Sequence, residues 1–179
     1  MHVLRVLTEA DADEFWRFRL MALEESPQAF AESADELRSS SVDVTAQRLR
    51  ASSEDNFVLG TFVDGRLVGT VGFFRYQGTK IRHKGRIWGV HVDPAFRRQG
   101  IAKAMIEAAL TKVRKAHHVR QVSLTVATAQ VAAMALYDAA GFKIFGVEPQ
   151  SLRVGEQYID EQHRVLMLDN AGPRSEVRR

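Results

Sequence analysis

Residues 90–102, Val-His-Val-Asp-Pro-Ala-Phe-Arg-Arg-Gln-Gly-Ile-Ala, join two different hydrophobic periods. A β-branched run ends at Asp93-Pro94. After Gly100 an alanine-rich pattern begins, with apolar residues at Ile101, Met105, Ile106, Ala109, Leu110 and Val113. The first reads as a strand and the second as an amphipathic helix running to about Ala116. Such a junction has a chemical consequence. A helix N-terminus presents unpaired N–H groups and a partial positive charge, which suits an anion. Arg97, Arg98, Gln99 and Gly100 stand at this entrance, and Gly100 has no Cβ to hold a ligand off the backbone. The stretch is therefore either an anion site or an ordinary strand-to-helix turn with solvated arginines.

The flanking pattern sets the architecture. Residues 2–7 alternate as a strand, and Thr8 is placed to cap a helix that ends near Glu25, before Ser26-Pro27. An irregular segment follows, then a second short helix around 44–51. Residues 57–62 and 67–76 read as strands joined through Val63-Asp64-Gly65-Arg66, where Asp-Gly signals a tight hairpin. A polar loop at 77–85 leads to the strand 86–92, and another strand spans 121–127. Val131–Ala140 is helical and Gly141 ends it. The last strands are expected at 142–147 and 158–168, with Val154-Gly155-Glu156 as a turn. Hairpins mixed with crossover helices predict an α/β chain built on a mixed sheet.

Composition narrows the function classes. The 179 residues suit one domain, expected over 1–170, with 171–179 as a disordered basic tail. With no cysteine there is no disulfide, thiolate metal site or cysteine nucleophile, and a reducing, cytoplasmic home is natural. No metal site is expected. The net charge of +3 is slight, and neither a basic stripe nor aromatic stacking argues for nucleic acid. No apolar run is long enough to span a bilayer.

Val92-Asp93-Pro94 followed by Arg97-x-x-Gly100-x-Ala102 resembles the coenzyme A pyrophosphate loop of the GCN5-related N-acetyltransferases. Leu124-Thr125-Val126, Ala132-Ala133, Leu136-Tyr137 and Gly141-Phe142 resemble that family's second signature, in its order and at its separation. The resemblance covers about residues 2–169. It implies a mixed, mostly antiparallel sheet of about six to seven strands with about four helices, splayed at a central parallel pair formed by 86–92 and 121–127. It also implies acetyl-CoA as acyl donor. Val90, His91 and Val92 would meet the pantetheine arm, and Arg97, Arg98, Gln99, Gly100, Ile101, Ala102 and Lys103 the pyrophosphate. Gln130 would touch the cofactor where relatives often carry asparagine, and Thr128 is placed to cap the same helix.

The implied reaction is direct acyl transfer from a thioester to an amine of a small molecule or a protein. Protonating the departing thiolate, of pKa about 8.5, needs only a weak acid such as a phenol. Tyr137 matches the family tyrosine with that role. Where several relatives place a Glu or His, this chain has Arg86 and Trp88, so no base is assigned. His91 has the opposite strand parity and faces away unless a bulge redirects it. His83, Glu156, Asp160 and Glu161 are further candidates, as is a water chain.

On the acceptor side, Glu24, Glu25, Glu32, Asp35 and Glu36 form either an acidic rim suited to a cationic amine or a solvated helix face. Phe30, Trp88 and Tyr158 are placed to line an apolar pocket or to pack in the core. A CoA-binding sensor that keeps the fold without catalysis is the alternative function, and homodimer formation stays open. The loop lacks the endings of nucleotide-binding motifs, which disfavours that class.

Overall fold

The computed structural model describes residues 2–116 and 118–168, so the tail expected at 171–179 lies outside the described residues. Seven strands form one sheet: β1 (His2–Val6), β2 (Asn56–Val63), β3 (Arg66–Arg75), β4 (Lys84–Val92), β5 (Gln121–Ala127), β6 (Lys143–Val154) and β7 (Gln157–Met167). Their order is β1-β2-β3-β4-β5-β7-β6. Only β4 and β5 run parallel. The helices are α1 (Ala12–Glu25), α2 (Ala34–Ser39), α3 (Val42–Arg50), α4 (Ile101–Lys115) and α5 (Val131–Ala139). Alternation along the strands feeds two cores. On one face Leu7, Val58, Phe62 and Leu67 meet Phe15, Phe18 and Leu49 of α1 and α3. On the other, Val68, Val71, Phe73, Ile87 and Val122 meet Met105, Ile106, Ala109 and Val113 of α4.

Several boundaries differ from the sequence reading, each for a local reason. The two-residue turn Asp64-Gly65 has φ of 49° and 80°, the mirror-image turn that matches strand twist, as Asp-Gly implies. The segment after Pro27 is not wholly irregular, because α2 lies within it. Ser33 Oγ accepts the Glu36 N–H at 3.2 Å, and the Glu36 carboxylate accepts the Ser33 N–H at 2.7 Å. This Ser-x-x-Glu box was readable, but a six-residue helix with one buried side chain, Leu37, has too short a period to announce itself. Thr8 precedes a 3₁₀ turn at Glu9–Asp11, and α1 starts only at Ala12. β6 continues to Val154, well past 147. Its register slips between Glu148 and Leu152, where Gln150 has φ 54°, and that slip breaks the alternation a single strand would display.

Two irregularities in the middle of the sheet build the site. β4 and β5 pair only where Lys84–Arg86 meet Gln121–Ser123. Beyond that point they part, leaving the β5-facing edge of residues 87–92 without a strand partner. The second irregularity is a bulge in β4. Thr70 pairs with His91 and Gly72 with Trp88, so Gly89 and Val90 together oppose Val71. Gly89 takes φ 61°, a conformation that disfavours any Cβ, and its carbonyl accepts the Thr70 hydroxyl at 3.1 Å. The extra residue inverts the facing of everything after it. Ile87, Val90 and Val92 meet the α4 core, whereas Trp88 and His91 both turn toward α1.

The entry to α1 is held by a charge clamp. Asp11 takes two 2.7 Å bonds from the Arg5 guanidinium and another from the Thr8 N–H. The Arg5 hydrogen bond is the main cause that holds the Asp11 carboxyl down at about 2. A depressed carboxyl contributes stability above its unfolded value and loses it as pH falls through the folded one. Arg5 is 43% exposed, so solvent screening reduces the contribution to on the order of 1 kcal/mol. Asp11→Asn should therefore lower the unfolding free energy at pH 7 by that amount. Its stability should also fall less steeply than the native protein's between pH 4 and pH 2, measured by urea titration at each pH.

Candidate active site

The gap between the diverging strands opens into a cleft of about 860 Å³. α4 and α5 close one side, and α1 with the Ser26–Glu32 segment closes the other. Every residue expected at the site borders this cleft except Gln99 and Tyr158. Gln99 is exposed at the loop tip. Tyr158 is 57% exposed on the β6–β7 hairpin, with the Arg153 guanidinium 5.6 Å over its ring. β6 is longer than its pattern suggested, and the length of the hairpin carries Tyr158 away from the cleft.

The donor half is built from backbone. Gly100 caps α4 with φ 79°, and Arg98 has φ 63°, so alternating hands of backbone turn successive N–H groups toward one concavity. Among the described residues the N–H groups of Arg98 to Lys103 form no hydrogen bond to protein acceptors, and the first bond of the turn is Ala104 N–H to the Gly100 carbonyl. The Asp93 carboxylate shapes the loop entrance by accepting the Ala95 N–H at 2.9 Å. Arg97 is turned the other way. Its Nε donates to the Val92 carbonyl at 3.0 Å and its Nη2 pairs with Glu25 at 2.7 Å. Whatever anion occupies the concavity thus meets N–H groups first, with Arg98 and Lys103 alongside.

Tyr137 projects from α5 into the same cleft. The residue is only 6% exposed and its ring packs edge-on against Phe142. The hydroxyl has no hydrogen-bond partner among the described residues, and burial holds the phenol above its ordinary pKa. The phenol therefore keeps its proton throughout the neutral range, which is the state an acid needs. Gln130, not Thr128, occupies the N-cap of α5. Residues 128 and 129 form a turn ahead of the helix, and the Thr128 N–H is spent on the Asp160 carbonyl at 2.9 Å.

The other half holds what the sequence reading missed. Arg19 comes from α1, where an amphipathic pattern gives no sign that one arginine turns inward. Its side chain is 12% exposed, lies 4.6 Å over the Phe30 ring, and contacts Glu32 at 3.1 Å. Desolvation lowers its pKa against the opposing pull of Glu32. Trp88, Arg86, Thr125 and Glu161 complete this wall. The expected acidic rim is not available to a ligand. Glu25 is tied to Arg97, Glu32 to Arg19, and both Glu24 and Asp35 to Arg38. Glu36 is taken by its capping box, and of the five only Glu32 borders the cleft.

Of the groups considered as bases, only His91 and Glu161 reach the cleft. The bulge does redirect His91 toward α1, but its ring sits between Phe18 and Phe30. Its Nε2 is buried without a hydrogen bond, with Glu25 3.8 Å away. Burial, and then the charge of Arg97, push its pKa down to about 4. It is a neutral, walled-in imidazole at pH 7. Glu161 is partly exposed, and one of its oxygens accepts the Ser151 hydroxyl at 2.7 Å.

A family model described as the Acetyltransferase (GNAT) family matches residues 17–142, well over half of the chain. The chain belongs to that family. The GNAT-matched segment contains both signatures, Arg19, the whole donor half and Tyr137; Glu161, on β7, lies beyond it. Solved structures agree on the fold. The GNAT-family acetyltransferase of Streptococcus pneumoniae superposes with a TM-score of 0.85 at 23% identity, over 94% of this chain and 99% of that one. The yncA protein of Salmonella typhimurium, solved with its cofactor acetyl-CoA, gives 0.82 at 18% identity, over 98% and 99%. Among curated proteins, human N-acetyltransferase 8 is 38% identical over 82 residues, 45% of this chain and 36% of that protein. The chain thus matches little more than a third of that relative's length. Within this GNAT chain no helix among the described residues is long and apolar enough to cross a membrane.

Proposed function

We propose that this protein is an acetyl-CoA-dependent N-acetyltransferase acting on a primary amine. The observation that carries the reading is Tyr137: a protonated hydroxyl on a buried ring, without a protein partner, in the same cleft as a run of unbonded N–H groups. The donor fits these residues. The N–H groups of Arg98 to Lys103 and the Arg98 and Lys103 side chains hold its pyrophosphate. The unpaired edge of β4 at Val90–Val92 offers backbone groups to its amide-bearing arm, as a strand edge does to an added strand.

Bound acetyl-CoA supplies a thioester whose acyl carbon is open to attack. Transfer joins the amine nitrogen to that carbon and breaks the C–S bond, so the chain must accept a proton from nitrogen and return one to sulfur. Tyr137 gives the proton to sulfur. Glu161 takes the proton from nitrogen, since His91 Nε2 is walled in and Glu32 is committed to Arg19. Its second oxygen is left free by the Ser151 bond.

Thiol release from acetyl-CoA, followed with a panel of amines, tests the reading. Turnover with at least one amine is the expected result. Tight CoA binding without turnover of any amine would assign the chain to the non-catalytic class instead. Glu161→Gln should lower kcat/KM for the amine about a hundredfold, a loss at the low end of general-base effects. An unchanged kcat/KM would remove Glu161 from the mechanism.

A further inference from the structure

Arg86 is an arginine without a counter-ion, facing the chamber where the acceptor must sit. Its Nη2 donates to Thr125 Oγ1 at 2.9 Å, and it makes no ion pair among the described residues. A hydroxyl orients a guanidinium but does not neutralise it. Of the other charges of this wall, Arg19 has Glu32, whereas Glu161 is held only by the Ser151 hydroxyl. Arg86 therefore presents unused N–H groups and an unbalanced charge to the cleft, in the planar fork that matches a carboxylate.

Its place in the sheet gives that charge a direction. Arg86 pairs with Ser123 at the last point where β4 and β5 are joined, so it stands at the root of the wedge. The donor concavity at α4 lies at the opposite, open end. Four residue steps of strand lead from Arg86 to Val90, at most ~13 Å of backbone, and the bulge shortens this. One small molecule can bridge such a span. Arg86 and Trp88 share a strand face, so the path between the two ends runs along an indole.

We infer that the acceptor carries a carboxylate as well as its amine, and that Arg86 receives the carboxylate while the amine points toward Glu161 and Tyr137. This rests on the acetyltransferase reading and names its substrate class: amino acids or related amino-carboxylates, not polyamines. The occupied acidic residues of α1 and α2 are consistent with it, because no free carboxylate cluster is left at the cleft to draw in a polycation.

The test compares matched acceptors with native protein, Arg86→Gln and Arg86→Lys. L-amino acids, their amides and their decarboxylated amines are assayed by thiol release with acetyl-CoA. Binding of N-acetyl-L-amino acids to the CoA-saturated protein is measured in parallel by calorimetry. Native protein should show kcat/KM at least tenfold higher for the acids than for the amides or amines. Arg86→Gln should shrink that ratio toward one through KM for the acid, leaving KM for acetyl-CoA in place. Arg86→Lys, which keeps charge but not the fork, should recover part of the preference. Loss of N-acetyl-amino-acid binding in Arg86→Gln, with no turnover of any amine by native protein, would keep the carboxylate site at Arg86 but sink the transferase reading and overturn the assignment of that carboxylate to an acceptor. Turnover of amines or amides at least as good as of the acids, or no Arg86-dependent carboxylate binding, would overturn the inference and leave the transferase reading standing.

Discussion

Tyr137→Phe should lower kcat by about two orders of magnitude while the fold stays as stable as before. The two halves of this expectation come from one observation. The ring is buried but the hydroxyl opens on the cleft without a protein partner, so removing it leaves no donor or acceptor stranded. The Tm should stay level or rise slightly, since the ring contact with Phe142 is kept. The chemical loss follows from the missing proton on sulfur, and general acids contribute roughly 10²- to 10⁴-fold. A thiolate is a fair leaving group, which places the effect at the low end. Affinity for acetyl-CoA should change no more than a few-fold. Burial raises the phenol pKa, so the native protein should show no alkaline fall in rate from this group below about pH 10. Full activity in the phenylalanine variant, measured by thiol release, would take Tyr137 out of the acid role.

A large loss of stability is expected from Gly72→Ala. A Cβ at this position would lie 2.1 Å from Trp88 Cε2 and 2.5 Å from Cζ2 and Nε1. Gly72 and Trp88 are direct cross-strand partners, and the indole lies flat across the bare glycine. One methyl forces the ring out of place, and overpacking of this kind costs roughly 2–3 kcal/mol. For a chain of this length that is a fall in Tm of about 5–10 °C. The displaced indole also intrudes on the acceptor wall, so KM for the amine should rise more than KM for acetyl-CoA. In a Trp88→Ala background the same substitution should turn neutral or mildly stabilising, because a strand alanine loses less backbone entropy than glycine. Thermal unfolding of the four proteins in this cycle reads the coupling directly. Additive losses would mean that Trp88 is not what Gly72 makes room for.

The donor half was legible because it is made of backbone, and backbone conformations leave compositional marks. Pro94, the arginines and Gly100 announce a turn into a helix, and Asp64-Gly65 announces its hairpin. The acceptor half depends on side chains whose roles are settled by distant partners. Glu25 finds Arg97, 72 residues away, and so leaves the acidic rim. Arg19 turns inward to a Phe30 and Glu32 that no helical period links to it. His91 was readable only as one of two facings, and the choice hung on Gly89. A glycine inside a β-branched run is the one local sign of such a bulge. Tyr158 failed for a different reason: the slip near Gln150 hid half of β6, and with it the length of the hairpin.

The bulge at Gly89 gives β4 two reading frames. Before it, even-numbered residues write the acceptor chamber; after it, odd-numbered residues do. Straightening the bulge into regular pairing, with every residue kept, would leave the composition intact and yet trade occupants between rooms. His91 would be driven into the packed side beneath α4, and Val90 and Val92 would line the chamber. The backbone edge offered to the donor would slide by one peptide. Gly89, whose backbone admits the bulge, is thus itself a heritable setting of which side chains face the acceptor, as consequential as the identity of any residue that does so.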